Sequence, residues 1–286
     1  MRPVPISLPA DLWCVPAYLR YVQRRLTAAR LAAAERQLGV RLPASLVACL
    51  REQNGGYLRR THPRFHFDCL WGIGATWPSL ANNSFDEWIA SSRECGAWVP
   101  AQCERLVPFG GDGHTYFCLD YRKSGPRDEP SVAFVDLECE RSSRGAASFA
   151  NFLAALRDES LHGVLVIDDD GMSLAEAAAR LGRVLRRPVE SVGDFAHGYD
   201  QYRAKLGTEK DPQWAWLSPN EVTRGFRRLE RPKGGTVIER LPVTGPRYSR
   251  LPRHAILVSA TEDVSERVEA ACRAAFTSVR VASGRR

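Results

Sequence analysis

Within "RRTHPRFHFDC", His62 and His66 stand four residues apart, with Asp68 and Cys69 close behind. On a helix that spacing turns two imidazoles to one side, where they could hold zinc. Pro63 works against a regular helix through both, and no second ligand cluster lies at diagnostic spacing, so the stretch reads as a loop with two surface or half-buried histidines. "GGDGH" at 110–114 lacks the GxxxxGK[ST] pattern of a phosphate loop, and an alternating strand follows it rather than a helix N-terminus. It reads as a hairpin turn. Histidine, cysteine and serine are all present, yet no GxSxG elbow and no local cysteine signature occurs. The expectation is a protein without catalytic residues, metal or cofactor.

Asp168-Asp169-Asp170 closes the apolar run "GVLVIDDDG", which resembles the magnesium-holding start of a response-regulator receiver domain. The chemistry does not continue. "WAWLSPN" stands where a receiver needs its acceptor aspartate, and no lysine follows Lys233. The triplet reads as a solvated turn before a helix cap. Positive charge is local: the net charge is +7, and residues 224–253 hold nine basic residues against Glu230 and Glu239. Ser218-Pro219-Asn220-Glu221 has the form of a capping box and predicts a helix with Val222, Phe226 and Leu229 facing inward. Arg224, Arg227, Arg228 and Arg231 would then form a cationic stripe for phosphates or an acidic partner. The plain alternative is a solvated helix face in an arginine-rich chain.

The elements that must position these residues differ between the two halves. "TAARLAAAERQLGV" predicts a helix stopped at Gly39, and Pro43 opens a second with Leu46, Val47 and Leu50 as its stripe. Asn54-Gly55-Gly56 supplies residues that tolerate the left-handed conformation ending a helix. An aromatic-rich region follows, then strands in "LVPFGG", "TYFCLDY" and "SVAFVDLE", and a helix from Ser148 that buries Phe149, Phe152, Leu153 and Leu156. Trp71, Trp77, Trp88 and Trp98 cluster here; most serve the core, and one or two exposed ones would anchor a protein partner. After residue 160, "GVLVI" reads as a buried strand, Ser173–Glu176 caps a helix, and "HAILVSATEDVSERVEAACRAAFTSVRVAS" reads strand–helix–strand. Residues 194–216 show no clear period.

Four motifs in this order, "AERQLGVRLPASLVACLREQNGG", "LVPFGGDGHTYFCLDY", "VAFVDLE" and "SFANFLAAL", resemble the SUKH superfamily, the Smi/Knr-type domain, over roughly residues 25–157. Pro43, Asn54, Gly55, Gly56, Gly110 and Asp120 are among the matching positions. The resemblance implies an α+β fold with a bent mixed sheet and flanking helices. It also implies the binding of other proteins, as in immunity proteins encoded beside bacterial toxins. The organisation expected is a SUKH-like binding domain over 1–160 and a smaller α/β or α+β domain over 161–286.

On this reading the partner is a cognate toxin, neutralised by stoichiometric binding, and nucleic acid at 224–253 is the alternative. A nuclease toxin would call for an acidic docking face on a chain whose isoelectric point is about 9.1; Asp112, Asp120, Asp136, Glu138 and Glu140 are the candidates. The opening "MRPVPISLPADLW" has no signal-peptide run and no segment has the length of a membrane span, so the expected location is the cytoplasm, with reduced thiols.

Overall fold

The structure, a computed structural model, describes residues 8–282 apart from 66, 83–84, 159–160, 195–196 and 232–233. It divides into two compact units, Met1–Trp13 with Leu19–Arg157 and Cys14–Tyr18 with Asp158–Arg286. The short strand β1 (Ala17–Tyr18) thus belongs to the second unit.

In the first unit, α1 (Ala28–Leu38) starts at Thr27, whose hydroxyl accepts from the Arg30 N–H, and stops at Gly39 with φ +68°. Helix α2 (Ala44–Glu52) follows Pro43, whose carbonyl accepts the first helical hydrogen bond, from Val47. It buries the expected Leu46, Val47 and Leu50. Strands β2 (Gly56–Tyr57) and β3 (Cys69–Leu70) pair antiparallel, and α3 (Phe85–Glu94) follows. The main sheet is β4 (Leu106–Gly111), β5 (Thr115–Asp120), β6 (Ser131–Asp136) and β7 (Arg141–Ala146), in chain order. Helix α4 (Phe149–Ala155) begins at Ser148, whose hydroxyl accepts from the Asn151 N–H.

The α+β class holds, but these four strands run antiparallel throughout rather than as a mixed sheet. Their connections are turns and short loops, and a parallel pairing needs a crossover of a dozen or more residues. The central strand β5 is buried on both faces. Tyr116 packs edge-on to Trp71 and to Phe85 of α3, while Phe117 meets Phe65, Phe67 and Phe152 of α4.

The second unit continues with β8 (Leu165–Ile167), α5 (Leu174–Leu185), β9 (Glu190–Gly193), β10 (Gln201–Lys205), β11 (Trp214–Pro219) and β12 (Glu221–Thr223). Next come β13 (Gly225–Glu230), β14 (Thr236–Arg240), β15 (Thr244–Pro246), β16 (Ile256–Ala260), α6 (Ser265–Ala275) and β17 (Val279–Val281). Six of these strands form an antiparallel sheet in the order β17-β8-β16-β11-β10-β9. Leu181 and Leu185 of α5 and Val268 and Cys272 of α6 share one core with Ile167, Leu217 and Val258 of the sheet. The capping box at Ser173 forms as expected, with the Ser173 hydroxyl and the Glu176 carboxylate each accepting the other's backbone N–H.

The helix expected from Ser218 does not form. Residues 218–230 instead run through the end of β11, all of β12 and β13. Asn220 is fully buried, and its amide donates to the carbonyls of Tyr248, Leu251 and Pro252 while accepting from the Tyr248 N–H. Such a side chain is fixed by partners about thirty residues away, which a local capping pattern does not foresee. The Thr223 hydroxyl likewise lies within hydrogen-bond distance of the Leu241 carbonyl, at 2.7 Å, and of the Gly225 carbonyl, at 3.0 Å. Phe226 is buried, but Leu229 is 47% exposed, so the helical spacing 222, 226, 229 was coincidental.

Candidate functional site: an aromatic groove in the first unit

Three segments of the first unit meet beside the main sheet: residues 21–24, 54–57 (which runs into β2) and 71–78. Two buried amides tie them. Asn54 donates to the carbonyls of Arg24 (2.6 Å) and Ile73 (2.9 Å) and accepts from the Ile73 N–H (2.8 Å). Gln23 donates to the carbonyls of Thr76 and Pro78, and its own N–H donates to the Asn54 carbonyl. Backbones touch directly where Gly55 meets Gly72, since a Cβ on Gly55 would lie 2.6 Å from the Gly72 nitrogen. Gly55 (φ +93°) and Gly56 (φ +125°) take the left-handed side of the map; Asn54 does not. The Asn-Gly-Gly triplet is therefore more than a helix stop: its asparagine is a buried clamp.

The clamp brings Tyr21, Tyr57 and Trp77 together. Tyr21 stands edge-on to Tyr57 at 5.3 Å and to Trp77 at 6.5 Å between ring centroids. They line a groove of about 350 Å³ with Phe67, Trp71 and Phe117, and Asp68 and Asp112 also line it. Of the four clustered tryptophans, Trp71 is buried, Trp88 and Trp98 pack partly against the core, and Trp77 is 48% exposed. Gly110 in β4 lets this region close, because a Cβ there would sit 2.5 Å from the Phe67 ring and 2.6 Å from the Cys69 carbonyl oxygen. Burial pushes the Tyr57 phenol above its ordinary pKa, and Tyr21, Cys69 and Asp68 add to that shift. What the groove offers is aromatic surface with carboxylate nearby, suited to gripping a side chain.

The five acidic candidates do not form one patch. Asp112 sits in the β4–β5 turn, where Oδ1 accepts from the N–H groups of His114 and Thr115 and from the Thr115 hydroxyl. Burial opposes its ionisation, and these hydrogen bonds outweigh that, holding the carboxyl below its usual range. Asp136, opposite Thr115 in the sheet register, pairs with Arg141 at 3.0 Å, and Glu138 meets His114 at 2.8 Å. Glu140 is exposed in the same β6–β7 turn. Asp120 lies at the far end of β5, about 16 Å away at about 3.3 Å per residue. There it pairs with Arg122 at 2.8 Å and lines a separate hollow of about 610 Å³ with Lys123 and Arg144.

The arginine stripe does not exist as a stripe. Arg224 lies between β12 and β13, Arg227 and Arg228 point to opposite faces of β13, and Arg231 follows it. Arg227 faces Glu239 at 3.9 Å, and the Arg228 guanidinium lies over the Tyr18 ring at 5.7 Å. Further along, Arg240 pairs with Asp194 and Asp200, Arg250 with Asp158, and Arg253 with Glu221. Much of the positive charge of this segment is thus met within the unit.

Asp168, Asp169 and His62 each have structural partners, and Asp170 is exposed. Asp169 accepts from the Thr277 N–H and hydroxyl and from the Ser278 N–H, closing the turn after β8, and Asp168 meets His254 at 2.7 Å. His62 is buried, stacks on Phe152 at 5.3 Å, and accepts at Nδ1 from the Arg64 N–H. His66 lies outside the described residues. Among the described residues no group of three His, Cys, Asp or Glu side chains is arranged to hold a metal, and no helix is long and apolar enough to cross a membrane.

No curated protein and no solved structure matches the chain. A family model does match, over residues 25–155, and that segment holds α1 to α4, the antiparallel sheet and nearly all of the groove, Tyr21 excepted. The model that matches residues 25–155 is that of the SMI1 / KNR4 family (SUKH-1), so this segment of the first unit is similar to that family's domain.

Proposed function

We propose that the protein is an immunity protein that neutralises a toxin by stoichiometric binding, and that the aromatic groove is where it grips. The family includes immunity proteins, and its domains are generally non-catalytic. The observation that carries the reading is Trp77: a half-exposed tryptophan held beside two tyrosines by buried amides is preorganised as an anchor. Interfaces of ordinary size draw most of their affinity from a few such aromatic groups.

The test is co-expression with the product of the adjacent gene, followed by co-purification and a growth-protection assay. A complex that protects cells, and whose affinity falls about 30-fold in Trp77→Ala (roughly 2 kcal/mol), is the expected result. A protein that neither binds nor protects against that product overturns the reading. The nucleic-acid alternative is disfavoured by the strand geometry and ion pairs of residues 224–253.

A further inference from the structure

The chain is rich in basic residues: Lys and Arg number 40. Yet among the described residues lining the aromatic groove none is basic, and two are aspartates, Asp68 and Asp112. Asp112 is held by its turn through Oδ1 only; Oδ2 accepts no hydrogen bond from the described residues. A fixed carboxylate oxygen left over beside three clustered rings is a pairing seen where proteins recognise cations: the ring faces attract the charge, and the carboxylate neutralises it. The volume, about 350 Å³, is near the lower end of ligand sites, which run from about 300 to 1,000 Å³. That suits one long side chain rather than a helix or an extended segment.

Building on the proposed binding role, we infer that the groove receives a single arginine side chain from a loop of the partner, its guanidinium packed on the rings and paired with Asp112 and Asp68. Arginine fits better than lysine because its planar guanidinium is weakly hydrated, stacks on aromatic faces and can meet a carboxylate with two parallel hydrogen bonds. A basic residue at the heart of the partner's surface also accommodates the net positive charge of this chain: recognition rests on a local acidic site, not on overall charge.

The test uses the full chain with ¹⁵N-labelled tryptophan, the Trp77 indole resonance being assigned with Trp77→Phe. N-acetyl-arginine amide is titrated against its neutral isostere, N-acetyl-citrulline amide, and against N-acetyl-lysine amide. The expected result is a saturable shift of the Trp77 indole with the arginine probe, at least threefold weaker binding of lysine and none of citrulline. Asp112→Asn lowers the arginine affinity at least fivefold, and the exposed Asp68→Asn, which leaves the Asp112 turn intact, lowers it as well. Equal response to citrulline, no saturable response to arginine, or a lysine probe that binds as well as arginine overturns the inference. These outcomes separate from those of the previous section. A protective complex that depends on Trp77 but shows no arginine preference keeps the binding role and removes the arginine site. An arginine-specific shift without any toxin complex does the reverse.

Discussion

Replacing Asn54 separates two accounts of the Asn-Gly-Gly corner. If Asn54 only tolerates a helix-ending conformation, Asn54→Gly costs a few tenths of a kcal/mol, since glycine adopts that conformation freely. The structure says otherwise. Asn54 is 3% exposed and closes three hydrogen bonds, to the carbonyls of Arg24 and Ile73 and from the Ile73 N–H. Each neutral hydrogen bond is worth about 1 kcal/mol net, and the groups orphaned by either Gly or Ala are buried, so the loss is about 3 kcal/mol. For a unit of this size about 1 kcal/mol moves the midpoint by ~2–4 °C, so the first unit's transition falls by ~6–12 °C. Calorimetry reads that shift, and hydrogen exchange of residues 71–78 reads its location, because these residues are tied through Ile73 and Gln23. A loss below about 1 kcal/mol in Asn54→Gly, or faster exchange confined to α2, refutes the clamp.

Four further outcomes can be checked on single variants. Gly110→Ala forces a methyl to within 2.5 Å of the Phe67 ring and lowers the urea midpoint of the first unit by the equivalent of about 2 kcal/mol. Leu229→Lys stays within about 0.5 kcal/mol of the parent in urea unfolding, because Leu229 is exposed on β13; a loss of several kcal/mol would restore the inward helical face. Alanine at Arg227, Arg228 and Arg231 together leaves the salt dependence of any nucleic-acid retention unchanged, as measured by binding to single-stranded DNA over a salt series. Burial, and then the charge of Arg64, lower the pKa of His62, so the folded state favours the neutral ring. Stability is therefore full above about 6.5, the unfolded value, and falls as pH drops towards the lower folded value; in His62→Gln the urea midpoint loses this slope.

The contrast between the two units shows what a sequence carries. Helices α1, α2, α4, α5 and α6 were legible because each announces itself within a dozen residues, by a Ser or Thr cap, a glycine stop or an apolar stripe. Strand β4 was legible as a short strand before a Gly/Asp turn, and β5 and β6 as alternating strands. Helix α3 was not foreseen, although Phe85, Ile89 and Ser92 carry a helical spacing, because aromatic residues surround it on both sides. Strand β7 escaped because an edge strand, Arg141-Ser142-Ser143-Arg144, has no apolar alternation to reveal it. Around residue 220 the local signals pointed the wrong way, since Ser-Pro-Asn-Glu satisfies the grammar of a helix start. What decides the conformation there is a buried asparagine whose partners lie at 248–252.

The groove failed to appear in the sequence for the same reason that the false helix did appear. Tyr21, Tyr57 and Trp77 are unremarkable singly, and no periodicity links them. Their common address is set by two amides, Gln23 and Asn54, whose hydrogen bonds span up to 55 residues. Asparagine in Asn-Gly-Gly carries two meanings, turn former and buried clamp, and only the second needs an interior to bond to. A buried amide is expensive unless every polar atom finds a partner, so its presence implies that distant loops were fitted to it. Aromatic residues carried on loops so fitted are held in one arrangement before any partner arrives, and the cost of ordering them is met in folding rather than in binding. If Trp77 is the anchor proposed above, the stability of the Asn54 clamp and the affinity at Trp77 are one linked quantity: a variant that loosens the clamp weakens the grip without touching it.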